Sequence, residues 1–169
     1  MRKLVMAAVL TFTVLLPGMS QAAWELEGSL GKGGQLNSPR GWEQLNLMVT
    51  PGYALSILRL QLGIVANFAD QSDSATNLEL RPMIAIVPPI LPIYGRVIFA
   101  VHNLTGRSSS SGTGREFAYG AAGGLRLGLG PIGVFAEVGV LPRYRNFAAF
   151  AGSKLAWVIE GRVGAYIKF

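Results

Sequence analysis

Apolar and polar residues alternate along most of this 169-residue chain, in stretches bounded by turn-forming residues. A repeat of two places successive side chains on opposite faces of a β-strand, so each stretch is predicted to be a strand with one apolar face. After residue 22, no stretch approaches the ~18 consecutive apolar residues of a transmembrane helix. The predicted strands are eight: 24–31, 43–54, 58–70, 77–87, 92–103, 116–129, 132–144 and 157–169.

The composition of the two strand faces indicates where such a sheet would reside. One face is mostly Leu, Ile, Val and aromatic residues, and the other holds Gly, Ala, neutral polar residues and isolated Arg and Glu. A soluble secreted barrel or sandwich, the alternative, would present a polar face rich in Lys and Glu to water. Only 14% of the residues are charged, against about 25% in soluble domains. We therefore predict an all-β fold, an eight-stranded antiparallel up-and-down transmembrane β-barrel with its apolar face toward lipid.

The first 22 residues have the organisation of a secretory signal peptide. Arg2 and Lys3 precede an apolar run, 4–16, and the small-residue site Ser20-Gln21-Ala22 follows. The run is shorter than the ~20 residues of a spanning helix, although a retained anchor is the alternative. We expect residues 1–22 to be a signal peptide and 23–169 to be the barrel.

The connections between predicted strands alternate in length along the chain. Segments 31–41, 71–76, 105–115 and 146–153 are long, whereas 55–57, 88–91 and 130–131 are short. Short periplasmic turns and longer outside loops are typical of bacterial outer-membrane barrels. An even number of strands then places both termini on the periplasmic side.

The C-terminal segment carries a family resemblance. Its apolar residues at alternate positions, Val163, Ile167 and Phe169, resemble the last strand of bacterial outer-membrane β-barrels, in which this ending is the signal read by the barrel-assembly machinery. The chain from residue 23 onward resembles the small eight-stranded class, similar in size to the OmpA transmembrane domain. The resemblance implies the bacterial outer membrane as location. It also implies membrane lipid and lipopolysaccharide as surroundings, and the assembly machinery as a partner during biogenesis.

The polar faces of the strands carry charges that would lie inside the barrel. Buried charges must be paired, so we expect a network in which Arg162 and Lys168 of the last strand reach Glu25 and Glu27 of the first. Glu137 lies between strands that carry Arg126 and Arg162. The network either fills the lumen structurally or lines a narrow path for ions or small solutes, because eight strands leave little interior space. Its predicted members are Glu25, Glu27, Arg59, Glu79, Arg81, Arg96, Arg126, Glu137, Glu160, Arg162 and Lys168.

Other functional classes find little support in the composition. The chain has no Cys and one His, which excludes a thiol nucleophile and a Cys-based zinc site, and we expect no metal or cofactor. The net charge of +6 comes from scattered Lys and Arg rather than from the clustered basic face that nucleic acid requires. His102, with Ser108–Ser111 downstream, is the one candidate for a lipid A acyl-chain enzyme, but no His-x-Ser motif is present.

The expected function is a small integral outer-membrane protein with a structural or interaction role and no catalysis. Two further features of the predicted strands can be checked against the structure. Pro51, Pro82 and Pro142 lie inside strands, where the missing N–H breaks a ladder hydrogen bond, and we expect a bulge or local break at Pro82. Aromatic residues near strand ends fit membrane-interface girdles. They are Trp24, Tyr53, Tyr119 and Trp157.

Overall fold

A computed structural model describes residues 23–36, 42–68, 77–102, 104, 116–144 and 156–169. Each strand pairs antiparallel with the next, and the last pairs with the first, so the sheet closes into a barrel. The predicted fold class is confirmed, whereas the expected signal peptide, 1–22, lies outside the described residues. Within those ranges, no helix is long and apolar enough to cross a membrane. The strands are β1 Ala23–Gln35, β2 Trp42–Leu55, β3 Leu58–Phe68, β4 Asn77–Ile86, β5 Ile93–His102, β6 Glu116–Leu129, β7 Ile132–Tyr144 and β8 Ala156–Lys168.

The strands are strongly tilted relative to the barrel axis. When paired residues are followed from strand to strand, the circuit that starts at Trp24 on β1 returns to β1 at Gly34, ten residues further along. Closing an eight-stranded sheet with such a stagger requires a tilt of about 35–45°. Inward side chains from distant sequence positions therefore meet at one height in the lumen.

The two ends of the barrel differ in their connections. At one end, which we call the short-turn end, β2 and β3 are joined by Ser56 and Ile57, and β6 and β7 by Gly130 and Pro131. Ser56 has φ 56° and Gly130 has φ 65°, the left-handed conformation that lets a chain reverse within two residues. Both chain ends of the barrel, the start of β1 and the end of β8, also lie here. We call the opposite end the long-loop end.

The three strand prolines interrupt pairing on one side only. Pro82 is in register with Leu62 of β3, but the β4–β5 ladder passes from Leu80 to Met83 without pairing the two residues between them. The register is the same on both sides of this gap, so the structure has the expected local break but no bulge. Pro51 and Pro142 similarly face gaps in the β2–β3 and β6–β7 ladders and are paired on their other sides. Each missing N–H thus costs a local interruption without changing strand order.

Burial alternates along the strands as the sequence pattern predicts. In β3 and β5, every second side chain is buried and the residues between them are mostly exposed. The buried set includes Glu, Arg, Asn and Gln residues, and the exposed set is mostly Leu, Ile, Val and aromatic residues. The barrel is therefore polar inside over much of its length and apolar outside, the reverse of a soluble fold.

We predict that Gly120→Ala destabilises the barrel. A Cβ at this position would overlap the carbonyl oxygen of Val140 on the neighbouring strand, and overpacking against backbone typically costs about 1–3 kcal/mol. Gly28→Ala is the matched control, because an added Cβ there meets nothing within 4 Å. Urea unfolding followed by heat-modifiable gel shift measures both midpoints. Equal midpoints for the two variants would contradict the close approach of β6 and β7.

Candidate functional site

Charged side chains of the described lumen form a chain of alternating ion pairs. Within the part of the barrel that the structure describes, ten Arg, His and Glu contacts link end to end. The chain extends from near the long-loop end to the short-turn end. In order, it comprises His102, Glu79, Arg81, Glu160, Arg162, Glu137, Arg96, Glu27, Arg126, Glu25 and Arg59.

The part of the chain nearer the short-turn end centres on two carboxylates of β1. Glu25 Oε2 lies 3.0 Å from Arg59 Nη1 and 2.6 Å from Arg126 Nη2. Arg126 Nη1 lies 2.6 Å from Glu27 Oε1, and Arg96 Nη1 lies 3.3 Å from Glu27 Oε2. Glu25, Glu27 and Arg96 are almost fully buried, so these contacts compensate the removal of three charges from water.

The middle of the chain connects β5, β7, β8 and β4. Arg96 Nε lies 2.9 Å from Glu137 Oε2, and Arg162 Nε lies 3.5 Å from Glu137 Oε1. Arg162 also pairs with Glu160 on its own strand. Across the lumen, the two Nη atoms of Arg81 donate to the two carboxylate oxygens of Glu160, each at 2.9 Å. This bidentate geometry is the strongest form of Arg–carboxylate contact, and it joins strands that are not neighbours in the sheet.

The part of the chain nearest the long-loop end includes Glu79 and His102. Arg81 Nε pairs with Glu79, and Glu79 Oε2 lies 2.5 Å from His102 Nδ1. Asn67 Nδ2 donates to the same carboxylate at 3.3 Å. His102 is buried inside the barrel, and Ser108–Ser111, the other residues of the candidate enzyme site, lie outside the described residues. The imidazole thus contacts a lumen carboxylate rather than the lipid-facing surface.

Neutral and aromatic side chains complete the polar contacts. Tyr94 Oη donates to Glu137 Oε2 at 2.7 Å and accepts from Arg96 Nη2 at 3.0 Å. The Arg126 guanidinium carbon lies 3.5 Å from the centre of the Tyr166 ring, a close cation–π contact. Tyr94 and Tyr166 also face inward. They were missing from the predicted lumen network because that prediction considered charged residues only.

Small residues make room for the arginines. A Cβ at Gly31 would lie 2.6 Å from Asn46 Oδ1 and 3.1 Å from the Arg162 guanidinium carbon. Arg162 Nη2 donates to that same Asn46 oxygen at 2.7 Å, and Arg162 Nη1 donates to Ser29 at 3.0 Å. The glycine is thus a steric requirement of this guanidinium position.

One sector of the lumen is apolar, which the sequence pattern did not anticipate. Its members face inward from six of the eight strands, β2 to β7, and form one buried cluster. Arg96 Nη1 lies 3.7 Å from the Met83 sulfur at the boundary between the sectors. The interior is therefore filled by a charged sector and an apolar sector together. The cluster comprises Met48, Val65, Met83, Ile98, Ala100, Ala118, Ala122 and Leu141.

The ion-pair partners differ from two of the expected ones. Arg162 is in register with Gly31, too far along β1 to reach Glu25 or Glu27, and it pairs with Glu137 and Glu160 instead. Arg126 bonds both β1 carboxylates, so Glu137 takes Arg96 where Arg126 was expected. The strand tilt explains both corrections, because residues opposite one another in the lumen are not those in register.

Lys168 is placed differently from the other predicted members. It is in register with Glu25, but its ammonium lies 5.5 Å from the centre of the Tyr166 ring. Among the described residues it makes no ion pair, and it is half-buried. The five Arg and five Glu of the chain balance, so Lys168 adds one positive charge at the short-turn end.

An opening at the short-turn end reaches into the lumen. This short-turn vestibule has a volume of about 830 Å³, and its lining includes Arg59, Arg126, Tyr166 and Lys168 beside the apolar segment 87–92. Its polar wall is therefore cationic, and the ion-pair chain lies directly above it. Within the described ranges, no cluster of three or more His, Cys, Asp or Glu residues could hold a metal ion.

Comparisons with known proteins support the barrel architecture. The structure is similar to the crystal structure of Neisserial surface protein A (NspA), with a TM-score of 0.56 and 12% sequence identity. The match covers 90% of this chain and 99% of that one. No protein-family model matches the sequence, and no curated protein matches it either. The likeness to NspA is one of fold, and it agrees with the expected resemblance to small eight-stranded barrels.

One residue outside the predicted set has an unusual position. The sequence pattern places Lys32 in the connection 31–41, just beyond the first predicted strand, 24–31. The structure continues β1 to Gln35 through an irregularity at Gly33 and Gly34. This places Lys32 on the outer wall, exposed among apolar neighbours. The sequence did contain a signal for this position, because continuing the alternation of β1 past residue 30 places Lys32 on the outward, apolar face.

We predict that breaking the middle of the chain is more damaging than shortening its end. Arg81→Met leaves Glu79 without this arginine and takes from Glu160 its bidentate partner, and removing one member of a buried pair costs about 3–5 kcal/mol. Arg59→Met is the matched control, because Glu25 keeps Arg126 at 2.6 Å, and we expect a clearly smaller loss. The free energy of unfolding of refolded protein in urea measures both. Equal losses of unfolding free energy in the two variants would show that a residue's position within the ion-pair chain does not determine its contribution to stability.

Proposed function

We propose that this chain is an integral protein of the bacterial outer membrane, with a lumen closed by the ion-pair chain and a structural or interaction role rather than an enzymatic one. A signal peptide, residues 1–22, would direct its export. The barrel-assembly machinery would recognise the β8 ending, where Val163, Ile167 and Phe169 are exposed on the outer wall. A surface location agrees with the name of the structurally similar protein, Neisserial surface protein A.

The outer wall supports membrane insertion. Exposed Leu, Ile, Val and aromatic side chains surround the barrel on all eight strands, whereas soluble monomers rarely expose apolar patches above about 300–600 Å². Apart from the gaps beside the three strand prolines, the closed sheet satisfies its backbone hydrogen bonds internally, as hydrocarbon requires. Strands of 10–14 residues meet the ~9–11 residues that a tilted spanning strand needs.

Aromatic side chains near both ends support the same placement. At the short-turn end, the Trp24 and Tyr53 rings meet edge to face with centroids 5.1 Å apart. Toward the long-loop end, Phe99 and Phe117 lie with centroids 6.1 Å apart. Aromatic girdles at two levels bracket the hydrocarbon region of outer-membrane barrels. By the usual rule of turn length, the short-turn end would face the periplasm.

The observation that carries the proposed closed lumen is the unbroken ion-pair chain. It spans the interior through contacts between strands that are not sheet neighbours, such as Arg81 with Glu160 and Arg96 with Glu27. An eight-stranded barrel is only wide enough for its own side chains. The same chain engages His102 through Glu79, which supports a lumen role for this histidine over lipid A chemistry at the rim.

We predict that the refolded mature barrel conducts no ions. A lumen closed by these paired side chains would offer no continuous aqueous route, so single-channel recording in a planar bilayer should show no reproducible steps. Refolding is verified beforehand by the heat-modifiable gel shift, and a conducting barrel of known step size is the positive control. Reproducible steps from verified folded protein would refute the closed lumen, and protein recovered from the periplasm without detergent would refute membrane insertion.

A narrow anion path is the second candidate, and the short-turn vestibule favours it. Its cationic residues, Arg59, Arg126 and Lys168, would attract anions to one mouth of the barrel. Lys168 distinguishes the closed barrel from the anion path, because this residue is outside the ion-pair chain. If the barrel conducts, Lys168→Glu should shift the reversal potential in a salt gradient toward cation selectivity, whereas Lys168→Gln should shift it less. An unchanged reversal potential would exclude the vestibule as the selectivity element.

A further inference from the structure

The outer wall carries a groove that crosses four strands. It has a volume of about 620 Å³ and follows one row of paired residues: Lys32 on β1, Gly161 on β8, Val138 on β7 and Gly123 on β6. Leu30 and Val163 line it on the side toward the short-turn end. Three strand spacings give the row a length of about 14 Å.

Two residues of the groove floor, Gly161 and Gly123, lack side chains. A Cβ built at Gly161 would meet nothing within 4 Å, and one at Gly123 would meet only the Tyr94 carbonyl oxygen, at 3.7 Å. Neither glycine is thus forced by close backbone packing. Their contribution is the open space on the outer wall.

A positive charge stands at one end of this groove. Among the side chains that the structure describes, Lys32 is the one charged group on the outward face of the strands, and no described carboxylate pairs with it. A charged side chain facing hydrocarbon is costly. Its position at the head of an apolar groove therefore calls for an anionic partner.

The position of Lys32 along the barrel axis indicates the membrane depth at which that partner lies. It lies eight residues beyond Trp24 on β1, which is about 20 Å along the axis at the usual rise and tilt. The apolar band of such barrels is about 25 Å tall, so the flexible ammonium reaches the interface at the long-loop end. Because the circuit of paired residues climbs from Trp24 through β2 to Gly34, the opposite direction from Lys32 to Gly123 descends into the hydrocarbon.

We propose that this groove binds one acyl chain of a phosphorylated glycolipid of the outer leaflet, with the lipid phosphate on Lys32. This inference rests on the proposed outer-membrane function. At a strand tilt of about 35–45°, the row of about 14 Å descends about 8–10 Å, so it stays within the ~15 Å depth of one leaflet of a 30 Å hydrocarbon core, and its lining is almost wholly apolar. A second copy of the barrel fits poorly, because a symmetric contact through this patch would bring the two Lys32 side chains together.

The test measures lipid retained by the full-length protein after export and extraction from outer membranes in mild detergent. Native mass spectrometry counts lipid A and phospholipid on the wild type and on Lys32→Gln, Gly161→Leu and Gly28→Leu. Gly28 is the matched control, because it is exposed on β1, has equally open space above it and does not line the groove. The heat-modifiable gel shift verifies folding of each variant.

We expect one retained lipid A per wild-type barrel. Loss of the Lys32 charge should weaken retention about fivefold, since a cation at an anionic membrane surface contributes about 1 kcal/mol. Gly161→Leu should abolish retention by filling the groove, and Gly28→Leu should retain lipid A as the wild type does.

Three results would contradict lipid binding in the groove without contradicting the proposed membrane barrel. They are equal retention in all four proteins, retained phospholipid in place of lipid A, and a protein dimer that Gly161→Leu disrupts. Failure of the wild type to fold into the outer membrane would instead refute the proposed function itself.

Discussion

Every charge that is fully buried inside this barrel has to be neutralised by another, and the arrangement of the lumen follows from that requirement. Burying a single carboxylate or guanidinium without a partner is far more costly than burying the pair. Seven of the eight strands contribute to the alternating chain from His102 to Arg59, and the pairs that join different strands also fix the position of one strand relative to another across the lumen. The chain therefore holds the cross-section of the barrel as well as filling it.

Strand tilt determines which charges meet. Backbone pairing brings Glu25 opposite Gly52 and Lys168, yet its carboxylate bonds Arg59 and Arg126, which reach it from β3 and β6. Long arginine side chains bridge this difference, because their planar forks reach across the lumen and bond two carboxylate oxygens at once. Short residues beside them provide the space, as Gly31 does for Arg162.

The fold was predictable from the sequence because period-two alternation reports which face of a strand each residue occupies. It predicted all eight strands and the inward position of the Arg and Glu residues. The pairing within the lumen was not predictable, since it depends on the ten-residue stagger of the closed sheet, which no local pattern encodes. The apolar sector around Met48 and Val65 was missed for a different reason. Alternation distinguishes two faces but does not require the inner one to be polar, and the lumen of a narrow barrel is a packed core.

Charges removed from water need partners on both sides of the barrel wall, but the source of the partner differs between the two sides. Inside, the charged groups of the ion-pair chain find partners within the protein, so the lumen needs nothing from its surroundings. Outside, the described wall carries Lys32 with no described carboxylate to pair with it, at a level where the surroundings are lipid. The sequence hides this contrast, because the irregularity at Gly33 and Gly34 obscures the end of β1 and makes Lys32 look like a loop residue. Once β1 is extended to Gln35, the lone outward charge and the glycine-floored groove beside it lie on one row. Because the described wall carries no other charge, this juxtaposition is the basis for proposing membrane lipid as the partner.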